Sequence, residues 1–181
     1  MVDIHRDMQV LINASAAAGP EGDTTEDKRA FWKAYTSALN RPAPSSIAIE
    51  DQVVASDPPV NVRVYRPEGP AGPCPCIIYM HGGGFMLGDL DSSDSIAWGF
   101  AEGTGAVVVS VDYRLTPENP YPAGIEDCRA VLLAVAENPD AWGIDPTRIA
   151  VAGDSAGGNF AASLALWARD HGGPALACHV M

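Results

Sequence analysis

Positive charge is what this chain has least of. Its 181 residues include 11 Lys and Arg against 23 Asp and Glu, a formal net charge of −12. Nucleic-acid binding rests on Lys and Arg neutralising phosphates, so this balance excludes nucleic acid as a partner and disfavours anionic membrane surfaces. Long apolar runs are missing too. Nothing approaches the roughly 20 residues of a membrane span. At the N-terminus the run Val10 to Ile12 is too short for a signal peptide, and Asp3 and Asp7 spoil its basic flank. Cysteine is sparse: Cys74, Cys76, Cys128 and Cys178. Cys74 and Cys76 form C-x-C with no second close pair, which excludes a zinc site and fits reduced thiols in a cytoplasm. The phosphate-cradling patterns G-x-G-x-x-G and G-x-x-x-x-G-K-S/T are absent.

What remains is a chain 47% apolar and 19% charged, long enough to bury one core. Residues 1 to 40 read as helical. Thr24 or Thr25 caps a helix with Glu26 and Asp27 in its first turn, and Phe31, Tyr35 and Leu39 recur at steps of four along one face with Trp32 beside it. "RPAPSS" (41–46) breaks the helix. "IAIEDQVVA" and "VNVRVY" alternate apolar and polar residues and read as antiparallel strands. Val60, Val62 and Val64 point one way, and Asn61, Arg63 and Tyr65 toward a wetter face. A turn-rich stretch, "RPEGPAGPCP", follows. "CIIYM" (76–80), "AVVVSV" (106–111) and "RIAVAG" (148–153) are short and almost wholly apolar, as strands covered on both faces are. Helical patterns near 92–102 and 125–137 separate them. Strand and helix alternating in this way predict an α/β fold with a mostly parallel sheet.

Two motifs carry chemistry. In "VAGDSAGGN" (151–159), Ser155 stands two residues from Gly153 and two from Gly157. Strand, Ser, helix is the context in which G-x-S-x-G places a nucleophile on a sharp turn above the C-terminal edge of the sheet. The helix that follows presents its N-terminal dipole to a developing negative charge. The second motif, "YMHGGGFMLGD" (79–89), follows a buried strand. Its three glycines bare backbone N–H groups that in acyl transfer form an oxyanion hole with the N–H after the nucleophile, here Ala156. Taken alone, the first motif also reads as a structural Ser at a Gly-rich helix start and the second as a plain turn; the pair, in this order and each after a buried strand, favours the site.

HGGGF followed by GDSAG resembles the bacterial hormone-sensitive-lipase-like esterases, which are α/β-hydrolases. "VDYRLTPENPYPAGIEDC" and "DPTRIAVAGDSAGGN" resemble family stretches between and at these motifs. The likeness covers roughly residues 45 to 181, an α/β-hydrolase core, with residues 1 to 44 similar to that family's helical cap segment. It implies Ser155 as nucleophile and Gly83, Gly84 and Ala156 as oxyanion-hole donors. His81, Gly82, Gly153, Asp154 and Gly157 would support the two motifs, with His81 bracing the glycine loop. It implies hydrolysis of small-molecule carboxylic esters through an acyl-enzyme, with no metal and no cofactor.

The acid and base do not follow. In α/β-hydrolases the order is Ser, then Asp or Glu, then His. After Ser155 come only Asp170, His171 and His179. A helix from Ser155 to Asp170 advances about 22 Å, which carries Asp170 and His171 to its far end. "ALACHVM" then begins a strand at the bottom of the sheet, with His179 only a few residues up it. His5, in the cap-like piece, is not placed to reach the serine, Asp112 and Glu118 break the order, and Asp154 on the elbow points away. The expectation is therefore an incomplete core, missing the triad Asp and His, completed by a C-terminal half or paired as a homo-oligomer. A second class stays open, a non-catalytic small-molecule binder on the same fold, as in the gibberellin receptors. A peptidase or amidase would share the mechanism.

Overall fold

The computed structural model describes residues 4–69 and 72–181. Residues 1–3 of the expected cap segment and residues 70 and 71 of the turn-rich stretch lie outside the described residues. Twelve elements follow in order: α1 (Arg6–Ala18), α2 (Thr25–Leu39), β1 (Ile47–Val54), β2 (Val60–Pro67), β3 (Cys74–Met80), α3 (Asp94–Thr104), β4 (Val107–Val111), α4 (Ala123–Glu137), α5 (Pro139–Trp142), β5 (Ile144–Gly153), α6 (Ala156–His171) and β6 (Cys178–Val180).

The strands form one sheet in the order β1-β2-β4-β3-β5-β6. β1 pairs antiparallel with β2, and β2 antiparallel with β4. β4, β3, β5 and β6 run parallel. The alternation of side chains across a strand explains the apolar runs. Ile78, Met80, Val109 and Val151 pack toward α4 and α6, where they meet Val131, Leu132 and Leu164. Ile77, Tyr79, Val108 and Ala152 pack toward α3, which presents Ala97 and Ala101 one turn apart. Strands covered on both faces are therefore almost wholly apolar, with Ser110 on β4 the buried polar exception among them.

Several expectations shift. β5 begins at Ile144, four residues before the apolar run, because Ile144 pairs with Cys74 ahead of a register shift in the β3–β5 ladder. The short helix α5, closed by Gly143 in the left-handed conformation, was not foreseen. The wetter face of β2 ends at Tyr65. That ring is fully buried under α3, and its hydroxyl donates to Asp94 Oδ1 at 2.7 Å. Neighbouring Arg63 binds both Asp51 oxygens and Asp91.

β6 lies higher than its sequence position suggested. Gly172 closes α6 in a left-handed cap, Gly173 N–H bonds back to Ala168, and Ala177 N–H already bonds the Ile149 carbonyl at 2.7 Å. The connection therefore delivers the chain to mid-β5. His179 pairs with Val151 and Val180 with Ala152. All three β6 residues are exposed.

α2 starts in a capping box. Thr24 Oγ1 accepts from Asp27 N–H, and the Asp27 carboxylate accepts from Thr24 N–H. α1 packs against α2. Among the described residues no helix is long and apolar enough to cross a membrane.

Candidate active site

Ser155 sits between β5 and α6 with φ 52° and ψ −114°, a backbone conformation a β-carbon disfavours and one that functional turns hold at a cost. The flanking glycines make the turn fit. A β-carbon on Gly153 would stand 2.6 Å from the Met80 carbonyl oxygen, and one on Gly157 would stand 2.8 Å from the His81 carbonyl oxygen and closer still to Met80. The elbow is thus pressed onto the end of β3, where the glycine loop begins. The Ser155 side chain is exposed and makes no capping bond to α6.

Asp154 joins the two motifs. Its Oδ1 accepts from the Gly82 amide at 3.1 Å and from the Tyr79 hydroxyl at 2.7 Å. Gly82 has no room for a β-carbon beside that carboxylate. Gly83 (φ 127°), Gly84 (φ 61°) and Phe85 (φ 64°) all have positive φ. The turn closes with Met86 and Leu87 N–H groups on the Gly83 carbonyl. Among the described residues the Gly83 and Gly84 amides donate no hydrogen bond. Ala156 is the first residue of α6, where a helix leaves amides without intrahelical acceptors.

His81 is buried under this loop. Its Nδ1 lies 2.7 Å from the Gly82 carbonyl, which can only accept, so Nδ1 carries the proton. The Tyr113 ring stacks on the imidazole at 4.3 Å, and the Tyr113 hydroxyl donates to the His81 carbonyl at 2.7 Å. Burial holds the imidazole below its ordinary pKa, with the Gly82 bond and nearby carboxylates opposing. A histidine neutral when folded and protonated when unfolded favours the unfolded state as pH falls below about 6.5, the unfolded value. Denaturant titrations from pH 7.5 to 5.5 should therefore show stability falling, and an H81N variant should lose that component of the slope. Asp112, which burial raises and His81 partly lowers, acts in the opposite sense.

The remaining candidates are scattered. His171 caps the far end of α6, its ring stacked on Trp167 and its Nδ1 on the Trp167 carbonyl. Asp170 pairs with Arg169. His179 is exposed on β6. Glu118 is held by Arg29, which pulls its pKa down to about 2. Among the described residues no histidine hydrogen-bonds Ser155, and no cluster of three His, Cys, Asp or Glu side chains could hold a metal ion.

Sequence reasoning passed over Arg29. Its Nε donates to the Met86 carbonyl at 2.9 Å and its Nη2 to the Thr116 carbonyl at 2.9 Å, while Nη1 and Nη2 bind Glu118 at 2.8 and 2.7 Å. Thr116 N–H in turn holds the Phe85 carbonyl at 2.9 Å. One guanidinium therefore ties α2 to the glycine loop and to the 113–118 segment. The face of α2 that lines the space beside His81, Gly82 and Asp154 is Trp32, Tyr35, Thr36 and Leu39. It keeps Tyr35 and Leu39 of the expected stripe, with Trp32 and Thr36 beside them, while Phe31 stacks on Tyr35. An R29Q variant should speed amide exchange in residues 82–88 and 113–118 by about tenfold or more, leaving β4 unchanged, with R29K intermediate. Unchanged exchange at 82–88 would show that the loop holds itself.

The comparisons agree with this geometry. A family model described as the alpha/beta hydrolase fold matches residues 77–181. Carboxylesterase NlhH of Mycobacterium tuberculosis is 53% identical over 132 residues, covering 72% of this chain and 41% of that protein. Carboxylic ester hydrolase LipN of the same species is 36% identical over 176 residues, 92% of this chain and 46% of that protein. The chain thus spans less than half the length of these two relatives. Among solved structures, a hyperthermophilic esterase from the archaeon Pyrobaculum calidifontis superposes with a TM-score of 0.86 at 36% identity, covering 98% of this chain and 58% of that one. With more than half its residues matched by the family model, and with its elbow and glycine loop meeting at Asp154 and Gly82, the chain belongs to the α/β-hydrolase fold family, on the hormone-sensitive-lipase-like side of it.

Proposed function

We propose that this chain supplies the nucleophile and the oxyanion hole of a serine carboxylic ester hydrolase. The observation that carries the reading is the Ser155 elbow, pressed against a glycine loop whose Gly83 and Gly84 amides are unspent. In the reaction Ser155 Oγ attacks the ester carbonyl carbon. Negative charge on the carbonyl oxygen is met by the amides of Gly83, Gly84 and Ala156. The tetrahedral species collapses, releasing the alcohol and leaving an acyl-serine, which water hydrolyses. A base must take the Ser155 proton and return it to the departing alcohol, and we assign that base and its acid to polypeptide other than the described residues. Asp154, Tyr79 and His81 position the loop, and α1 and α2 act as a cap across its edge. Substrates are small-molecule esters. Neither nucleic acid nor membrane is a partner, and cytoplasmic residence fits four unpaired cysteines.

The second reading, a binder without turnover, rests on the lack of any histidine bonded to Ser155. The two part on one measurement. When the chain is mixed with the C-terminal part of a carboxylesterase relative, a fluorophosphonate should add its mass to the peptide containing Ser155. Tight ligand binding with no such mass would favour the binder.

A further inference from the structure

The space that α2 closes beside His81, Gly82 and Asp154 has a volume of about 270 Å³ and reaches the first turn of α3. Ser155, Gly83, Gly84 and Ala156 do not line it, so a molecule held here leaves the oxyanion hole open. Its α2 wall is aromatic. Trp32 and Tyr35 stand with ring centroids 6.0 Å apart and planes tilted by 46°. Both are half-buried, which leaves ring surface for a ligand.

The polar side chains around the space are mostly engaged. Ser92 and Ser93 donate to the Asp89 carbonyl, and Ser95 to the Arg41 carbonyl. Thr36 donates to the Trp32 carbonyl and Asn40 to the Asp91 carbonyl. Asp154 differs. Its Oδ1 serves Gly82 and Tyr79, but among the described residues its Oδ2 accepts no hydrogen bond, and the residue is exposed. It is also the one charged residue of the lining, since burial keeps His81 neutral.

The surroundings share its sign. Asp89 and Asp112 join Asp154 as negative charges felt at His81. Nearby cations are held by other partners: Arg63 by Asp51, Asp91 and Asp94, and Arg29 by Glu118. Lys33 approaches Asp89 only to 4.0 Å and points largely into solvent. A carboxylate oxygen without a partner, in a chain of net charge −12, favours a positive guest. Calcium and magnesium take about six oxygen ligands or more, which one carboxylate does not supply. An organic ammonium ion asks for less, because aromatic faces attract it through the ring quadrupole. A cavity of about 150 Å³ holds benzene, so this one has room for a trimethylammonium group on a short arm.

We propose that this space is a binding site for a small organic ammonium ion, held against Trp32 and Tyr35 with Asp154 as its counter-ion. The site stands apart from the ester reaction, and binding does not need Ser155 to react.

The test titrates choline into the 181-residue chain and follows ¹H–¹⁵N spectra, with 3,3-dimethylbutan-1-ol, the neutral carbon analogue of choline, as control. The expected result is millimolar binding with shifts centred on the Trp32 indole N–H, Gly82 and Ser93. The alcohol should bind about tenfold more weakly. W32L should weaken choline about tenfold by removing a ring, and D154N about fivefold by removing the charge while keeping an oxygen for the Gly82 amide. Magnesium at the same concentration should not displace choline. The dispersion of the amide spectrum reports whether each variant folds; where W32L or D154N does not, Y35L decides, with an expected weakening of about threefold or more. Equal binding of the alcohol, choline affinity unchanged in the folded variants, displacement by magnesium, or shifts centred on Gly84 and Ala156 would overturn the proposal.

Discussion

Purified as the 181-residue chain, the protein should hydrolyse p-nitrophenyl butyrate no faster than its S155A variant. Ser155 is poised by geometry and not by chemistry. A hydroxyl needs its proton taken in the transition state, and His81, under the glycine loop, is buried with its proton committed to the Gly82 carbonyl. His171 is at the other end of α6 and stacked on Trp167. In a triad hydrolase, losing the histidine alone costs about a millionfold in turnover. An oxyanion hole and binding retain about 10³- to 10⁴-fold over water, too little to see above background with this ester. Adding the C-terminal part of a carboxylesterase relative in trans should restore Ser155-dependent turnover by several orders of magnitude. The receiving surface is evident. β6 is an exposed edge beside β5, with Leu166, Val180 and Met181 exposed nearby, and an unpaired apolar edge is a template for another strand. Turnover by the 181-residue monomer alone, lost in S155A, would refute the assignment of the base to other polypeptide.

How far the sequence spoke for this arrangement depended on the range of the interaction. Both halves of the candidate site are local motifs, and their glycines announce backbone approaches that only glycine permits. The apolar runs of β3, β4 and β5 report burial on both faces in a few residues. Arg29 could not be read this way. Its partners Met86, Thr116 and Glu118 are 57 to 89 residues away, and nothing in "TEDKRAFW" distinguishes a latch from a solvated cation. Tyr65 resembled a surface residue for the same reason, because its cover, α3, is specified some 30 residues later. The height of β6 was set by a glycine cap at Gly172 and one bond from Ala177, which spacing alone understates.

The same chemical change, glycine to alanine, should have opposite consequences at two positions, and the contrast tests the elbow. In G157A the added carbon would fall against the Met80 and His81 carbonyls, both backbone. Neither can rotate away, since Met80 ends β3, which is hydrogen-bonded on both sides, to β4 and to β5, and the His81 carbonyl is held by the Tyr113 hydroxyl. Either α6 lifts from the sheet or the glycine loop moves. Overpacking of this kind costs about 3 kcal/mol or more, a large share of the 5–15 kcal/mol typical of a domain. At about 2–4 °C per kcal/mol for a chain of this size, the melting midpoint should drop by about 6 °C or more. G99A lies within α3 with nothing within 4 Å of the added carbon. It removes backbone freedom from the unfolded chain and favours the helix, so it should stabilise by roughly 0.5–1 kcal/mol. Thermal unfolding of both variants beside the parent, by circular dichroism, measures the difference. If G157A melts like the parent, the elbow does not press on β3 as described, and the convergence of Ser155 with the glycine loop loses its structural basis.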